Sequence, residues 1–453
     1  MIVVKFGGTS VGDADAIRRA ASIVASRRER QPIVVVSAMA GVTNALLAIA
    51  EQSSRGQLIG AIRSVEALRE RHMAEAERLL GDTSECAELC AEMSAMIDEL
   101  AHLTEALNTL GDATPRSLDA IAAYGEQLSS QLVVAAFRRC GLPADHVDAR
   151  EIVITDDAFT RAEPNTDAIT ETSLRILAPM VRDRRIPVMA GFIGATQRGL
   201  TTTLGRGGSD YTAALIGAAL QSEAIEIWTD VDGMLTADPR VVEGAQLLER
   251  VGFDEASELA SFGAKVLHPM TIYPAVRLGI PVVVLNSRKP EGKGTLITFE
   301  APRRPVTAIA GKGGITLIRL RTPRMLLTEG FLRTTFEVFH RHRTSVDVVA
   351  TSEVSVSLTI DDPSRLDALL PDLRELGDVS IERSRGIVAV VGAALSAGGQ
   401  HMARALQVLN DIPVHMLSLS ATGINLTIVV DGDQVNPVMR RLHAEFFSAG
   451  AAH

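Results

Sequence analysis

An alternation of short apolar runs with longer helical patterns, over roughly the first 300 residues, limits the fold more than any other feature of the sequence. The apolar runs are rich in β-branched residues and almost continuously hydrophobic, as strands covered on both faces are. The predicted strands are Ile2–Phe6, Pro32–Ser37, Val188–Phe192, Ala224–Thr229 and Pro281–Leu285. This pattern predicts an α/β domain, at about 1–300, built on a mainly parallel central sheet.

One stretch of this domain has no strand pattern. Leu58 to Leu110 is rich in Ala, Glu and Leu, and a turn signal interrupts it near Gly81–Thr83. We therefore expect two long helices, forming a helical insertion at about 58–110.

A change in composition marks the end of the first domain, because residues 294–305 are rich in Gly, Pro and Arg. Beyond it, the order of strand, helix and paired strands occurs twice, about seventy residues apart. The predicted elements are Ile315–Leu320, a helix near Gly330–His340, Ser345–Val349 and Val354–Ile360, then Ile387–Val391, His401–Asn410, Val414–Leu419 and Ile424–Val430. We expect an α+β regulatory domain at 301–453, with repeats at about 307–380 and 386–450. Since β-rich units with exposed edges often associate, we also expect a homodimer through this domain.

The composition excludes several functional classes. The chain of 453 residues is 46% hydrophobic and 22% charged, with no apolar run long enough to cross a bilayer. A net charge of −10 offers no basic surface for nucleic acid. The sequence runs from Met1 directly into an apolar strand without a secretory signal pattern, so we expect a cytoplasmic protein. Cys86 and Cys90 could hold half a metal site, but no second ligand pair follows, and we predict no protein metal site.

The first candidate for chemistry is Lys5–Val11 (KFGGTSV), between a buried strand and a helix that begins near Asp13. Gly7 and Gly8 would let backbone N–H groups approach phosphate oxygens, and Lys5 would add a positive charge. The alternative is an ordinary turn with a solvated lysine at a strand end.

A second candidate, Thr201–Tyr211, places three glycines and Arg206 before a helical run from Thr212 to Leu220. Free N–H groups at a helix N-terminus favour an anion, and Arg206 could clamp a carboxylate or phosphate. Alternatively, Ser209 or Asp210 only caps the helix. A cap needs neither Arg206 nor three glycines, which favours a binding role.

The third candidate, Trp228–Arg240, follows a predicted strand at its carboxyl end, where parallel sheets bind ligands. It could face a nucleotide, or it could be only a turn rich in Asp, Gly and Pro; its spacing does not fit a calcium loop.

No Walker A motif is present, because Gly311-Lys312 and Gly292-Lys293 lack its upstream glycine and its following hydroxyl residue.

Five motifs in order resemble the aspartate kinase family, most closely its lysine-sensitive monofunctional branch: Lys5–Val11, Val36–Thr43, Gly205–Asp210, Thr229–Gly233 and Phe262–Pro269. The resemblance implies an amino acid kinase fold followed by tandem ACT (βαββαβ) domains. It also implies transfer of the γ-phosphate of ATP, with Mg²⁺, to the β-carboxylate of L-aspartate. That reaction is the first step of lysine, threonine and methionine biosynthesis, and enzymes of this family are subject to feedback inhibition.

The resemblance also implies roles for individual residues. Lys5 would contact the transferring phosphoryl group, Arg206 would hold the α-carboxylate of aspartate, and Glu126 would hold its α-ammonium group. Asp210 would help to orient the substrate or the nucleotide. The remaining positions around aspartate are Ser37, Thr43 and Ser209, and those on the nucleotide side are Gly7, Gly8, Thr229, Asp230, Arg240 and Lys265. Leu235 stands where the family often has a tyrosine in the adenine pocket, so ring stacking there would be lost.

The inhibitor pocket implied by the resemblance lies in the first C-terminal repeat, where Asp347 and Glu353 could meet an ammonium group. Its other positions are Met325, Thr328, Gly330, Leu332, Thr351, Ser352 and Val354. Lysine is the expected inhibitor ahead of threonine, and the dimer could assemble further into a tetramer. From the residues alone, the strand–turn–strand at 345–354 could also be purely structural.

Two other functions remain open at this stage. The chain could be a related amino acid kinase with another acidic substrate in a specialised pathway. The pocket of Glu126 and Arg206 is the feature that would distinguish this substrate from aspartate. It could also be a catalytically silent amino-acid sensor, although Lys5 and Asp210 are both present.

Overall fold

The computed structural model describes residues 1–262, 269–325 and 329–448. Among these residues the chain divides into two compact units. The first comprises 1–234 and 269–299, and the second comprises 235–262 and 300–448. Residues 235–262, which the sequence places before the expected boundary, thus cluster with the C-terminal unit.

The strands and helices are numbered in chain order. The strands are β1 (Ile2–Phe6), β2 (Pro32–Val36), β3 (Ala144–Val147), β4 (Ile154–Thr155), β5 (Ile186–Ala190), β6 (Ile193–Thr196), β7 (Thr201–Thr203), β8 (Ala224–Thr229), β9 (Arg250–Gly252), β10 (Val282–Asn286), β11 (Thr295–Thr298), β12 (Ala308–Arg321), β13 (Val349–Ser352), β14 (Ser355–Ile360), β15 (Asp378–Val391), β16 (Met416–Leu419) and β17 (Asn425–Asp431). The helices are α1 (Ala14–Ser26), α2 (Val42–Ser54), α3 (Leu58–Leu80), α4 (Ser84–Leu110), α5 (Pro115–Arg139), α6 (Ala149–Ile152), α7 (Thr166–Arg182), α8 (Gly208–Ala219), α9 (Phe253–Ser261), α10 (Pro269–Leu278), α11 (Phe331–Arg341), α12 (Leu366–Leu376), α13 (Gly399–Gln407) and α14 (Val435–Phe447).

A mainly parallel sheet organises the first unit, as the sequence predicts. Its strands lie in the order β3, β5, β2, β1, β8, β10 and β11, and only β11 pairs in an antiparallel sense. The central strands β1, β2 and β5 are buried along their whole length, which explains their continuous apolar sequences. All five predicted strands exist, although β5 begins and ends two residues before the prediction. A small second sheet of β4, β6 and β7 was not predicted.

The helical insertion also agrees with the sequence. α3 ends at Leu80, and α4 begins at Ser84 after Thr83, whose hydroxyl accepts a hydrogen bond from the Cys86 N–H group. Buried faces of both helices join the core of the first unit together with α2 and α5. The helical period places Leu, Val, Ile and Ala residues on those faces.

One antiparallel sheet runs through the second unit in the order β13, β14, β12, β15, β17 and β16. β12 and β15 have 14 residues each and pair along most of their length, with irregularities after Lys312. The halves of each long strand belong to different repeats: Thr316–Arg321 pairs with β14, whereas Ala308–Lys312 pairs with the end of β15 that borders β17. The first repeat runs β12–α11–β13–β14–α12–β15 in chain order. The second runs β15–α13–β16–β17–α14, and the first half of β12 is the strand that completes its βαββαβ unit, so the repeats share both long strands.

Two of the predicted edge strands begin late. Ser345–Val348 lies outside β13, which starts only at Val349, and β16 starts at Met416 instead of Val414. The N–H groups of Asp347 and Val348 donate to the carbonyl and hydroxyl oxygens of Thr359, and the Thr359 N–H group donates to the Val348 carbonyl oxygen. Regular strand pairing begins only at Val349. The predicted helix at 401–410 is α13, which begins and ends earlier.

Gly392 directly follows β15 at a point where two backbone segments meet. A Cβ atom on this residue would lie 2.1 Å from the Pro305 carbonyl oxygen and 2.8 Å from the Val306 Cα atom. We predict that Gly392→Ala destabilises the protein by about 1–3 kcal/mol, because backbone atoms must move apart. Thermal unfolding of the full chain measures the effect. Gly398→Ala is the matched control, since its Cβ would meet nothing within 4 Å; an equal change in both variants would contradict the packing argument.

Candidate active site

A buried ion pair joins the first and second sequence motifs. Lys5 lies in the central strand β1, and its Nζ atom is 2.5 Å from Oδ1 of Asp210 in the first turn of α8. Lys5 is 8% exposed and Asp210 is 9% exposed. The alternative of a solvated lysine at a strand end is therefore wrong. Desolvation makes such a pair a weak source of stability, which favours a role in binding or chemistry.

Of the two glycines after β1, Gly7 lies beside the Lys5 ammonium group and Gly8 lies against the backbone of Ala38 and Ala40. A Cβ atom on Gly8 would be 2.8 Å from the Ala38 carbonyl oxygen, and one on Gly7 would lie 3.7 Å from the Lys5 ammonium nitrogen. The Gly7 N–H group donates to the Trp228 carbonyl oxygen at the end of β8. The absence of side chains thus keeps the space beside the Lys5 ammonium open, as a phosphate cradle requires.

The turn before α8 carries the candidate anion-binding arginine. Gly205 and Gly207 have φ values of 75° and 70°, in the left-handed region that glycine tolerates. Arg206 between them is exposed, and its guanidinium group has no partner in the part of the chain that the structure describes.

Gly207 is the N-cap of α8, without a side-chain cap bond, so Ser209 and Asp210 lie inside the first turn. The alternative that either residue only caps the helix is wrong. The helix also begins four residues before the predicted run.

Phe192 and Gly191 were missed by sequence reasoning as parts of this site. Phe192 follows β5 with a φ of 68°, and its N–H group donates to the Thr212 hydroxyl of α8. Cβ atoms on Gly191 and Gly208 would lie 2.7 Å from Ser209 and 2.6 Å from the Phe192 ring, respectively. The strand therefore ends at Ala190 because α8 packs directly against the turn that follows; the local pattern gave no signal of this.

Glu126 is a buried carboxyl group on α5. Its Oε2 atom has no hydrogen-bond partner among the described residues, and the residue is 3% exposed. Burial raises the pKa of Glu126 to about 8, against the opposing hydrogen bonds of the Ala38 N–H group and the Thr43 hydroxyl. Ser37 also lies here, at the end of β2, where its N–H group donates to the Phe6 carbonyl oxygen. The structure thus brings Glu126 and Thr43 into contact, with Ser37 next to Ala38 in the chain.

Two of the predicted nucleotide-side residues lie next to each other in the first unit. Thr229 and Asp230 lie at the carboxyl end of β8, where the Thr229 hydroxyl is 3.3 Å from Asp230 Oδ1. Arg240 belongs to the second unit, where its exposed guanidinium pairs with Asp238 at 2.6 Å. Lys265 lies outside the described residues.

The candidate inhibitor pocket lies in the second unit. Asp347 Oδ1 pairs with Lys312 Nζ of β12 at 2.9 Å, while Asp347 Oδ2 is buried and has no hydrogen-bond partner among the described residues. Burial raises the pKa of Asp347, against the effect of Lys312. Lys312 was missed because its sequence neighbourhood was considered only as an incomplete Walker motif.

The other predicted pocket positions are more open to solvent. Gly330, with a φ of 79°, is the N-cap of α11; Leu332 follows on that helix, and Glu353 and Val354 are exposed at the turn between β13 and β14. Met325 is half-buried at the end of a 3₁₀ turn, and Thr351 and Ser352 close β13. Thr328 lies outside the described residues.

The described residues contain neither a metal cluster nor a helix that could span a membrane. No group of three or more His, Cys, Asp or Glu side chains among the described residues could hold a metal ion. Cys86 and Cys90 lie on α4 with their Sγ atoms 4.0 Å apart. None of the described helices is long and apolar enough to span a membrane.

A parallel sheet with a lysine and a glycine turn at its carboxyl edge is suited to an enzyme that binds the phosphate groups of a small ligand. The family model described as "Amino acid kinase family" matches residues 1–286. Over 99% of both chains, the sequence is 38% identical to lysine-sensitive aspartokinase 3 of Escherichia coli, and it is 36% identical to chloroplastic aspartokinase 3 of Arabidopsis thaliana, covering 98% of this chain and 81% of that protein. The chain therefore belongs to the amino acid kinase family and, within it, to the aspartokinases.

Solved structures agree with this assignment. E. coli aspartokinase III in complex with aspartate and ADP (R-state) matches 99% of this chain and 100% of its own, with a TM-score of 0.88 and 37% identity. The same enzyme in complex with lysine and aspartate (T-state) matches with a TM-score of 0.81. The expected α/β fold with a mainly parallel sheet and ACT-type regulatory repeats is confirmed.

The raised pKa of Glu126 has a consequence for stability. The unfolded carboxyl group ionises near pH 4.3, whereas the folded group stays protonated up to about pH 8, so ionisation opposes folding increasingly as the pH rises between these values. We predict that Glu126→Gln unfolds at a higher temperature than the natural chain at pH 8.5, and at a similar temperature at pH 5. Thermal unfolding across this range measures the difference.

The control for this prediction is Glu88→Gln, which changes an exposed acid on α4. A constant difference for Glu126→Gln across the pH range, like that expected for the control, would show that the Glu126 pKa is not raised.

Proposed function

We propose that this aspartokinase binds L-aspartate between Glu126 and Arg206 and transfers the γ-phosphoryl group of ATP to its β-carboxylate beside Lys5. The observation that supports this most strongly is the buried pair of Lys5 and Asp210, next to Gly7, whose lack of a side chain leaves space beside the ammonium group. The aspartokinase relatives support the choice of substrate.

Recognition of aspartate follows from the charges around the site. The unpartnered Oε2 atom of Glu126 lacks the donor that a buried carboxylate needs, and the α-ammonium group of aspartate would supply it. The free guanidinium of Arg206 suits the α-carboxylate, because its planar fork matches two oxygens. The hydroxyl groups of Ser37, Thr43 and Ser209 would complete the polar lining. Ammonium binding would also return Glu126 to its ionised form.

Phosphoryl transfer requires positioning and positive charge more than it requires a base. The β-carboxylate of aspartate is ionised at pH 7, so it can attack without losing a proton. Lys5 would neutralise charge on the transferring phosphoryl group, and the N–H groups at the start of α8 would add to this field. Asp210 would orient the Lys5 ammonium group as a positioning residue.

Thr229, Asp230, Arg240 and Lys265 remain our proposed contacts on the nucleotide side. With a leucine at position 235, the adenine pocket would offer apolar contact without ring stacking. Mg²⁺ would be held chiefly by phosphate oxygens and water, as this ion commonly is. The ion would draw charge away from the phosphate oxygens.

Inhibition by lysine is favoured over inhibition by threonine. Asp347 uses one oxygen for Lys312, and its buried second oxygen is open to another cation. The side-chain ammonium of lysine could fill that position, whereas threonine carries no side-chain cation. The lysine-sensitive E. coli relative supports the same choice.

Assembly and location complete the proposal. The outermost strands β13 and β16 leave sheet edges through which a second chain could add, which supports a homodimer that could form a tetramer. We place the enzyme in the cytoplasm, where ATP and free aspartate are available.

The reaction is tested by trapping the acyl phosphate with hydroxylamine. We predict ATP-dependent hydroxamate with L-aspartate, little with L-glutamate, and stronger inhibition by lysine than by threonine. Preference for another acidic substrate would favour the related kinase, and no hydroxamate from folded protein would favour the amino-acid sensor.

Lys5→Ala should abolish most turnover while circular dichroism shows an intact fold.

The inhibitor pocket is tested separately with Asp347→Asn. We predict that the lysine concentration for half-inhibition rises by about 10-fold or more, since one charged hydrogen bond is lost. Uninhibited kcat and KM should stay unchanged. Asp367→Asn is the control on the same repeat, because its side chain is 93% exposed. Unchanged inhibition in Asp347→Asn would remove Asp347 from the pocket.

A further inference from the structure

We infer that Asp119 is a positioning residue that fixes Arg206 relative to Glu126 and thereby sets the affinity for aspartate without touching it. The inference rests on the proposed roles of Glu126 and Arg206. Sequence reasoning gave no role to Asp119.

Asp119 lies on α5 and is 1% exposed, yet its carboxylate accepts three hydrogen bonds. Its Oδ1 atom accepts from the Thr203 hydroxyl at 2.6 Å. Its Oδ2 atom accepts from the Thr203 N–H group at 3.0 Å and from the Thr160 N–H group at 2.8 Å. One carboxylate therefore joins a helix, the end of β7 and the loop before α7.

Thr203 is the last residue of β7, and Arg206 follows three residues later. Between them, the Leu204 N–H group donates to the Phe192 carbonyl oxygen, while the Thr203 carbonyl accepts from the Ala162 N–H group. The start of the Arg206 turn is thus fixed on both sides. Of these contacts, the hydrogen bonds from Thr203 to Asp119 are the ones that connect the turn to α5.

Thr160 supports the turn from the other side. Its φ of 72° is in the left-handed region, which is costly for a β-branched residue, and its N–H group is held by Asp119. A Cβ atom on Gly205 would lie 3.3 Å from the Thr160 carbonyl oxygen. The Thr160 backbone therefore packs closely against the glycine that precedes Arg206.

Glu126 lies seven residues after Asp119 on the same helix. Two helical turns separate such residues, so both side chains leave α5 on nearly the same face, about 10 Å apart along the axis. Both are buried. The same helix therefore carries both Asp119 and Glu126, the proposed partner of the α-ammonium group. Asp119 in turn holds the turn that carries Arg206, the proposed partner of the α-carboxylate.

A neutral side chain would hold these segments less firmly. Burial raises the pKa of Asp119, and the three donors limit that rise because they stabilise the ionised form, which accepts through both oxygens. An asparagine would direct an N–H₂ group either at a backbone N–H group, which would lose its acceptor, or at the Thr203 hydroxyl, which can accept from it. In the second case the contacts remain, but the charge-assisted hydrogen bonds of the carboxylate are replaced by weaker neutral ones.

Steady-state kinetics of the full chain with Asp119→Asn provide the test. We expect KM for aspartate to rise by about 10- to 100-fold, because the charge-assisted hydrogen bonds that hold Thr203 and Thr160 are weakened. We expect kcat and KM for ATP to change by less than about threefold, because the α-carboxylate contact is the same in the ground state and the transition state. An unchanged KM for aspartate, or equal losses in all three parameters, would overturn the inference.

Thr203→Val covers the case in which Asp119→Asn does not fold, because it removes only the hydroxyl donor at similar volume. It should raise KM for aspartate in the same selective way, by about threefold to tenfold. No change would count against the inference.

The matched control is Glu226→Gln, another buried acid, which accepts hydrogen bonds from Arg27, Arg30 and Trp228. It should lower the melting temperature without raising KM for aspartate. An equal rise in KM would show that the effect of Asp119→Asn is general destabilisation, against the inference.

A double-mutant cycle separates this inference from the proposed function. If Asp119 acts through Arg206, Asp119→Asn should add less than about twofold to the KM of Arg206→Ala; a fully additive effect would overturn the inference alone. If Arg206→Ala and Glu126→Gln leave KM for aspartate unchanged, the proposed roles fail, and the inference fails with them.

Discussion

The contact between Lys5 and Asp210 is the interaction on which the rest of the site depends. It connects the central strand of the parallel sheet to the first turn of α8 at the edge where parallel strands end. The ion pair needs α8 to approach the sheet closely, and glycines at 191 and 208 permit that approach. A ligand that enters this edge therefore meets a positive charge already held in place by the fold.

Two buried acids each have one side-chain oxygen without a hydrogen-bond partner among the described residues. Glu126 in the first unit and Asp347 in the second each carry such an atom, and burial raises the pKa of both. A buried carboxylate without a full set of donors destabilises the free protein and favours a cationic ligand that completes the set. The same physical device thus serves the proposed substrate site and the proposed inhibitor pocket.

The regulatory unit owes its form to two long strands. Because β12 and β15 each contribute to both βαββαβ repeats, neither repeat has a complete sheet without the other. Two separate hydrophobic cores, around Ile318 in one repeat and Ile309 in the other, lie on this shared pair of strands. A change at one repeat therefore has a direct covalent and hydrogen-bonded route to the other.

The sequence by itself determined the parallel α/β class, the five main strands, the helical insertion and the duplicated α+β region. These features follow from periodicity and turn residues, which act locally. The family resemblance also predicted Lys5, Glu126, Arg206 and Asp210 as site residues. Only the tertiary structure decided that Lys5 and Asp210 form a buried pair, that α8 starts at Gly208, and that Asp347 faces Lys312.

The interlocking of the two repeats, and the clamp made by Asp119, were equally invisible along the chain. Thr203 is 84 residues away from Asp119, and no local pattern marks residues as partners at such separations. Hydrogen bonds and desolvation depend on which distant segments the folded backbone brings within about 3 Å, so they become definite only when the chain has packed.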